Sequence, residues 1–187
     1  DLLGQTRIGF RKFEVSGKIF LLNGHPVKIR GINATPGHGG SHLAAWNKGN
    51  WLFEGLKLEK EMNFNLLRVN KGPYAAPFYD ICDELGFLIE NDYSPDTTLL
   101  SASEMRAEMI MGIDVDRYVA SDGSIPQNGA NLIRKWLFSQ HNHPSLCMFT
   151  AGNEIGFSIG KAHQEKQLAD YINNFYDFIK EHDLQKR

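Results

Sequence analysis

The sequence is short of most features that would assign it to a special class. It has two cysteines in 187 residues, Cys82 and Cys147. Both fall inside apolar patterns, so they read as buried free thiols rather than a disulfide or a metal pair. No apolar run approaches the ~20 residues that a membrane-spanning helix requires. The opening DLLGQTRIGF lacks the basic segment and apolar run of a signal peptide. No membrane partner is therefore expected, and any signal peptide is absent or was cut away. An excess of one charge is also missing: 20 Lys and Arg stand against 22 Asp and Glu, which gives no electrostatic reason to expect nucleic acid. The glycines between positions 33 and 50 are followed by no Gly-Lys-Ser/Thr, which removes a phosphate cradle. No cofactor or metal is expected.

What is present is a repeat of short apolar runs and amphipathic stretches. Arg7 to Glu14 and Lys18 to Leu22 read as strands, with Asn23-Gly24 suited to a tight hairpin turn. Val27 to Asn33 reads as the first core strand. Residues 33 to 50, with His38, His42, Trp46 and Asn47, are too long for a mere connector, and are either a plain surface loop or a substrate-facing one. Leu52, Leu56, Leu58 and Met62 mark a helix over 51–62, and 64–70 (FNLLRVN) a second buried strand with Arg68 near its end. Phe78, Ile81, Cys82 and Leu85 mark a helix over 76–85 with Gly86 as its C-cap. Phe87 to Ile89 is a third strand, ending in Glu90-Asn91-Asp92-Tyr93. Residues 94 to 128 are irregular, with a short helix near 103–111. A helix over 131–139, a strand over 145–150 and a helix over 164–182 follow. Strands alternating with helices predict a parallel α/β sheet.

The stretch His141 to Gly156, HNHPSLCMFTAGNEIG, concentrates the chemistry. An apolar strand there runs into Asn153-Glu154, and a carboxylate beside a dry core is costly unless it is partnered or used. The letters His141-Asn142-His143 suggest a nuclease signature, but in that class they stand for residues spread through a ββα fold. A His-Pro turn accounts for His143.

With the strands placed, the chain resembles the catalytic domain of glycoside hydrolase family 2, the β-galactosidase and β-glucuronidase family. The likeness rests on Gly9-Phe10-Arg11, Phe20 to Val27, Arg30-Gly31-Ile32-Asn33, Asn63 to Arg68, Phe78-Tyr79-Asp80, Cys82 to Leu88 with Glu90, Asn142-His143-Pro144-Ser145 and Asn153-Glu154. The resemblance implies a (β/α)8 barrel of TIM type preceded by β-sandwich domains, and hydrolysis of β-linked sugars with retention. It implies that Glu154 is the general acid/base, that Asn153 binds a sugar hydroxyl, and that Arg68 organises the site. Arg68, Glu90, Asn153 and Glu154 all fall at C-terminal strand ends, where barrel active sites gather. Trp46 is a candidate for stacking on the sugar.

Four β/α units make half of a barrel, which needs about 250 residues. The expected division is residues 1–26 as the end of a sandwich domain with its linking hairpin and 27–187 as the first half of the barrel. A retaining enzyme also needs a second carboxylate about 5–5.5 Å from the first, and none in this chain is implied as that nucleophile. The chain alone is expected to be inactive, and its exposed half-barrel edges are expected to favour self-association into a homo-oligomer. A non-catalytic carbohydrate-binding or structural role is the alternative.

Overall fold

The computed structural model describes residues 8–34, 51–69, 74, 76–92, 124–125, 127–151 and 165–185. Three strands, β1 (Phe13–Ser16), β2 (Ile19–Leu22) and β3 (His25–Val27), form an antiparallel sheet in the order β1-β2-β3. Asn23 (φ 52) and Gly24 (φ 80) take the left-handed backbone that a two-residue hairpin demands. Pro26 is accommodated because β3 lies at the edge of this sheet, where a missing N–H leaves no ladder bond unmade.

Four further strands, β4 (Gly31–Ala34), β5 (Leu66–Val69), β6 (Leu88–Asp92) and β7 (Leu146–Thr150), form a parallel sheet in chain order. Helices α1 (Trp51–Glu61), α2 (Ala76–Leu85), α3 (Gln127–Gln140) and α4 (Glu165–His182) alternate with them. Sequential parallel strands separated by helices are the wall of a TIM barrel. One side of this wall packs Leu67, Val69, Ile89 and Leu146 against Leu56 of α1 and Phe78, Tyr79 and Cys82 of α2. Phe149 joins that core to a second one, Ile133 and Leu137 of α3 against Phe175 and Ile179 of α4. At the lower end of the other side, Leu66, Leu88 and Cys147 are covered by Phe13 and Leu22 of the small sheet.

The helices hand the chain to the strands through matching caps. Asn63 (φ 72) and Gly86 (φ 70) end α1 and α2 in the left-handed conformation. The next amides, Phe64 and Phe87, reach back to the carbonyls of Glu59 (3.2 Å) and Cys82 (2.9 Å), the long bond of a Schellman motif. Asn63 then accepts from Arg30 through both its carbonyl (2.6 Å) and its side chain (2.9 Å), while the Asn65 side chain accepts from the Arg30 amide at 2.7 Å. These bonds pin the entry of β4 beside that of β5.

Two expected elements differ. The single strand expected over 27–33 is divided between two sheets, β3 ending at Val27 and β4 beginning at Gly31. The bracket of Arg30 by Asn63 and Asn65 holds the crossing, and no local pattern reports contacts more than thirty residues away. The strand expected over 7–14 lies at Phe13–Ser16, because the turn at Gly17 (φ 61) sets its pairing with β2. The helix near 103–111 lies outside the described residues.

Glu59 of α1 carries a testable consequence. Its Oε2 is buried with no hydrogen bond, and burial holds the carboxyl above the ordinary glutamate pKa. A raised folded-state pKa gives a contribution that is full below the unfolded value and lost as pH rises through the folded value. Glu59→Met is expected to flatten that decline and to raise the neutral-pH melting temperature by about 2 °C, read by thermal unfolding between pH 4 and pH 8.

Candidate active site at the C-terminal strand ends

Register brings polar side chains together at the upper rim of the parallel sheet. Asn33, Arg68 and Glu90 are lateral neighbours on β4, β5 and β6, and Asp92 stands beside Thr150 of β7. Strand parity places Arg68, Glu90, Asp92 and Thr150 on the face opposite the helix-packed Leu67, Ile89 and Phe149. Arg68 donates to Asp92 Oδ2 at 2.9 Å, and its Nε lies 3.5 Å from Glu90 Oε1. The Thr150 hydroxyl donates to the same Glu90 oxygen. Asp92 is completely buried, whereas the side chains of Arg68 and Glu90 keep about a quarter of their surface in contact with solvent, 24% and 25%. The rim is therefore a charge cluster with a buried anchor and two solvent-facing members.

The helix side holds this cluster in place. Fully buried Asn91 accepts from the Tyr79 hydroxyl (2.8 Å) and donates to Gln140 (2.7 Å), tying β6 to α2 and α3. Tyr74 donates its amide to the Tyr79 oxygen at 3.2 Å and its hydroxyl to the Ala34 carbonyl at 2.9 Å. Burial, and then the negative charge of Asp92, push the Tyr74 hydroxyl above its ordinary pKa. It stays protonated and keeps donating.

Of the expected site residues, Arg68 and Glu90 lie together at this rim. Glu154, Asn153 and Trp46 lie outside the described residues. Thr150 was missed, and Asp92 was not among the expected site residues. The step of two from Glu90 to Asp92 was a usable signal, since β6 runs through Asp92 by pairing with β7 and alternation puts both carboxylates on one face. Thr150 gave no such signal, because the pairing of β6 with β7 shifts by one residue after Ile89, with Cys147 as the extra residue in β7.

Among the described residues, Asp80, Asp83 and His143 have ligand atoms within 4.8 Å of one another, a spacing compatible with a metal ion. Both Asp83 oxygens are engaged, however, one by His143 Nδ1 (2.7 Å) and one by the Ser145 amide (2.9 Å). The cluster is a tether at the lower end of β7.

A polar rim on consecutive parallel strands is what a barrel enzyme presents to substrate, and the family model for the TIM barrel domain of glycosyl hydrolases family 2 matches residues 13–187. The chain belongs to glycosyl hydrolase family 2. It is 23% identical over 168 residues to a β-galactosidase of Leuconostoc mesenteroides, covering 90% of this chain and 14% of that one. It is 29% identical over 153 residues to a β-galactosidase of Pseudoalteromonas haloplanktis, covering 80% and 13%. Among solved structures, a β-glucuronidase of Faecalibacterium prausnitzii matches with a TM-score of 0.65 at 24% identity, covering 96% of this chain and 27% of that one. A β-glycosidase from Bacteroides vulgatus matches at 0.64 and 26%, covering 94% and 20%. The chain thus spans about one-seventh of those curated relatives.

The buried anchor predicts a cost for unpairing the family 2 rim. Arg68→Met strips the buried Asp92 carboxylate of its guanidinium and is expected to destabilise the fold by about 3–5 kcal/mol. Adding Asp92→Asn should restore part of that loss in urea unfolding, and equal midpoints for the single and double variants would count against the pairing.

Proposed function

We propose that this chain is the acid/base half of a retaining glycosidase acting on β-linked sugars. The observation that carries the reading is the Arg68–Glu90–Asp92–Thr150 rim at the C-terminal strand ends of a family 2 barrel domain. The names of its relatives, β-galactosidase and β-glucuronidase, agree with that reaction class. Glu154 follows the end of β7 by four residues in the sequence. In this reading it protonates the leaving glycosidic oxygen and then, as a carboxylate, activates water. Asn153 holds a hydroxyl of the same sugar, Arg68 and Glu90 shape the floor of the subsite, and Trp46 stacks on the ring. Residues 1–26 are read as the end of a sandwich domain, with the barrel from residue 27.

Retention requires a second carboxylate as nucleophile. Glu90 and Asp92 are committed to Arg68, so neither takes that role, and the nucleophile comes from outside these 187 residues. The isolated chain is then inactive, and its sheet, whose end strands β4 and β7 each have one described partner, is proposed to self-associate through those edges. The rim sets two carboxylates against one guanidinium, which disfavours an anionic sugar and favours a neutral one.

Assays with aryl β-galactoside and aryl β-glucuronide test this directly. A polypeptide that completes the barrel is expected to turn over the neutral glycoside and to lose about 10²–10⁴-fold in kcat with Glu154→Gln. The 187-residue chain alone should show no turnover. Turnover by that chain that survives Glu154→Gln would overturn the assignment, and preference for the glucuronide would overturn the neutral-sugar reading. Light scattering of the chain should show species larger than a monomer.

A further inference from the structure

We propose that Arg11 and Asp83 form a two-sided clamp that sets the register of β7, and that they are positioning residues for the rim at its far end. Four consecutive residues at the entry of β7 are held from two directions. From the N-terminal segment, Arg11 Nε donates to the Pro144 carbonyl at 2.5 Å and its guanidinium also donates to the Leu146 carbonyl. Gly9 lies so close beneath Pro144 that a Cβ there would stand 2.4 Å from the ring carbon Cγ. From α2, the Asp83 carboxylate takes His143 Nδ1 at 2.7 Å and the Ser145 amide at 2.9 Å. The Asp83 side chain is only 5% exposed, and the Tyr79 ring lies 5.3 Å from that of His143.

The clamp grips β7 immediately before its irregularity. Ile89 pairs with Leu146, but the next residue, Glu90, pairs with Met148, which leaves Cys147 as an extra residue in β7. A regular register would set Glu90 opposite Cys147 and Asp92 opposite Phe149. Because side chains alternate with a period of two, that slip would draw Phe149 out of the two apolar cores and take Thr150 away from Glu90. A bulge gives up local ladder bonding and persists only where the surroundings enforce it. Arg11 and Asp83 act on residues 143–146, one turn of strand upstream, and reach the rim only through β7. Their meaning for catalysis rests on the glycosidase reading, but the register can be measured without sugar, so failure of the clamp and failure of that reading are distinguishable.

The two cysteines supply internal probes: Cys147 sits in the bulge, its thiol donating to the Ile89 carbonyl at 3.3 Å, and Cys82 is buried on α2. In the intact 187-residue chain, Arg11→Ala is expected to raise the thiol-labelling rate of Cys147 roughly tenfold relative to that of Cys82. It should also shift the backbone amide resonances of Asp92 and Thr150 while leaving those of Leu67 and Val69 in place. Arg11→Lys should recover part of both effects, since it keeps the charge and one donor but not the fork. Asp83→Asn, which retains shape and an acceptor, gives the same readouts if Arg11→Ala does not fold. Parallel rises at both cysteines, or unmoved Asp92 and Thr150 amides, would overturn the clamp.

Discussion

A carboxylate with no contact with water needs a cation, and Asp92 meets this requirement through Arg68. Much of the rim follows from that demand. β5 and β6 run parallel with Arg68 level with Glu90, and from that register Arg68 reaches Asp92 two residues further along β6. The guanidinium then lies within reach of Glu90 as well, and Glu90 accepts from Thr150 on the next strand. One ionic requirement thus links three strands at the end where a barrel exposes its substrate-facing groups.

The opposite side of the same strand supplies rigidity. Glu90 and Asp92 face the rim while Asn91, between them, faces the helices and connects Tyr79 to Gln140. Period-two alternation lets five residues of β6 serve the site and the scaffold at once. The lower end is built differently. Arg30 with Asn63 and Asn65, and Asp83 with His143 and Ser145, are polar brackets that join segments distant in sequence. Several of the blocks that carry the family resemblance are therefore braces rather than chemistry.

Family 2 membership and the rim bear on different questions. Membership gives the barrel frame. The rim gives the local charge balance, two carboxylates around one guanidinium at the C-terminal strand ends.

The sequence by itself determined the kind and order of the elements, because apolar periodicity is a local signal: the helix over 76–85 has the bounds read from its spacing. It also placed Arg68 near the end of its strand and Glu90 just past the apolar run of the next, which puts both in the upper part of the sheet. Only the tertiary structure decided the division of residues 27–33 between two sheets, the pairing of Arg68 with Asp92, the bulge at Cys147 that brings Thr150 to Glu90, and the tie between Arg11 and the turn before β7. Each of these is settled by a partner many residues away. A hydrogen bond or a strand register across such a distance depends on how the whole chain closes, and that leaves no mark on the local pattern.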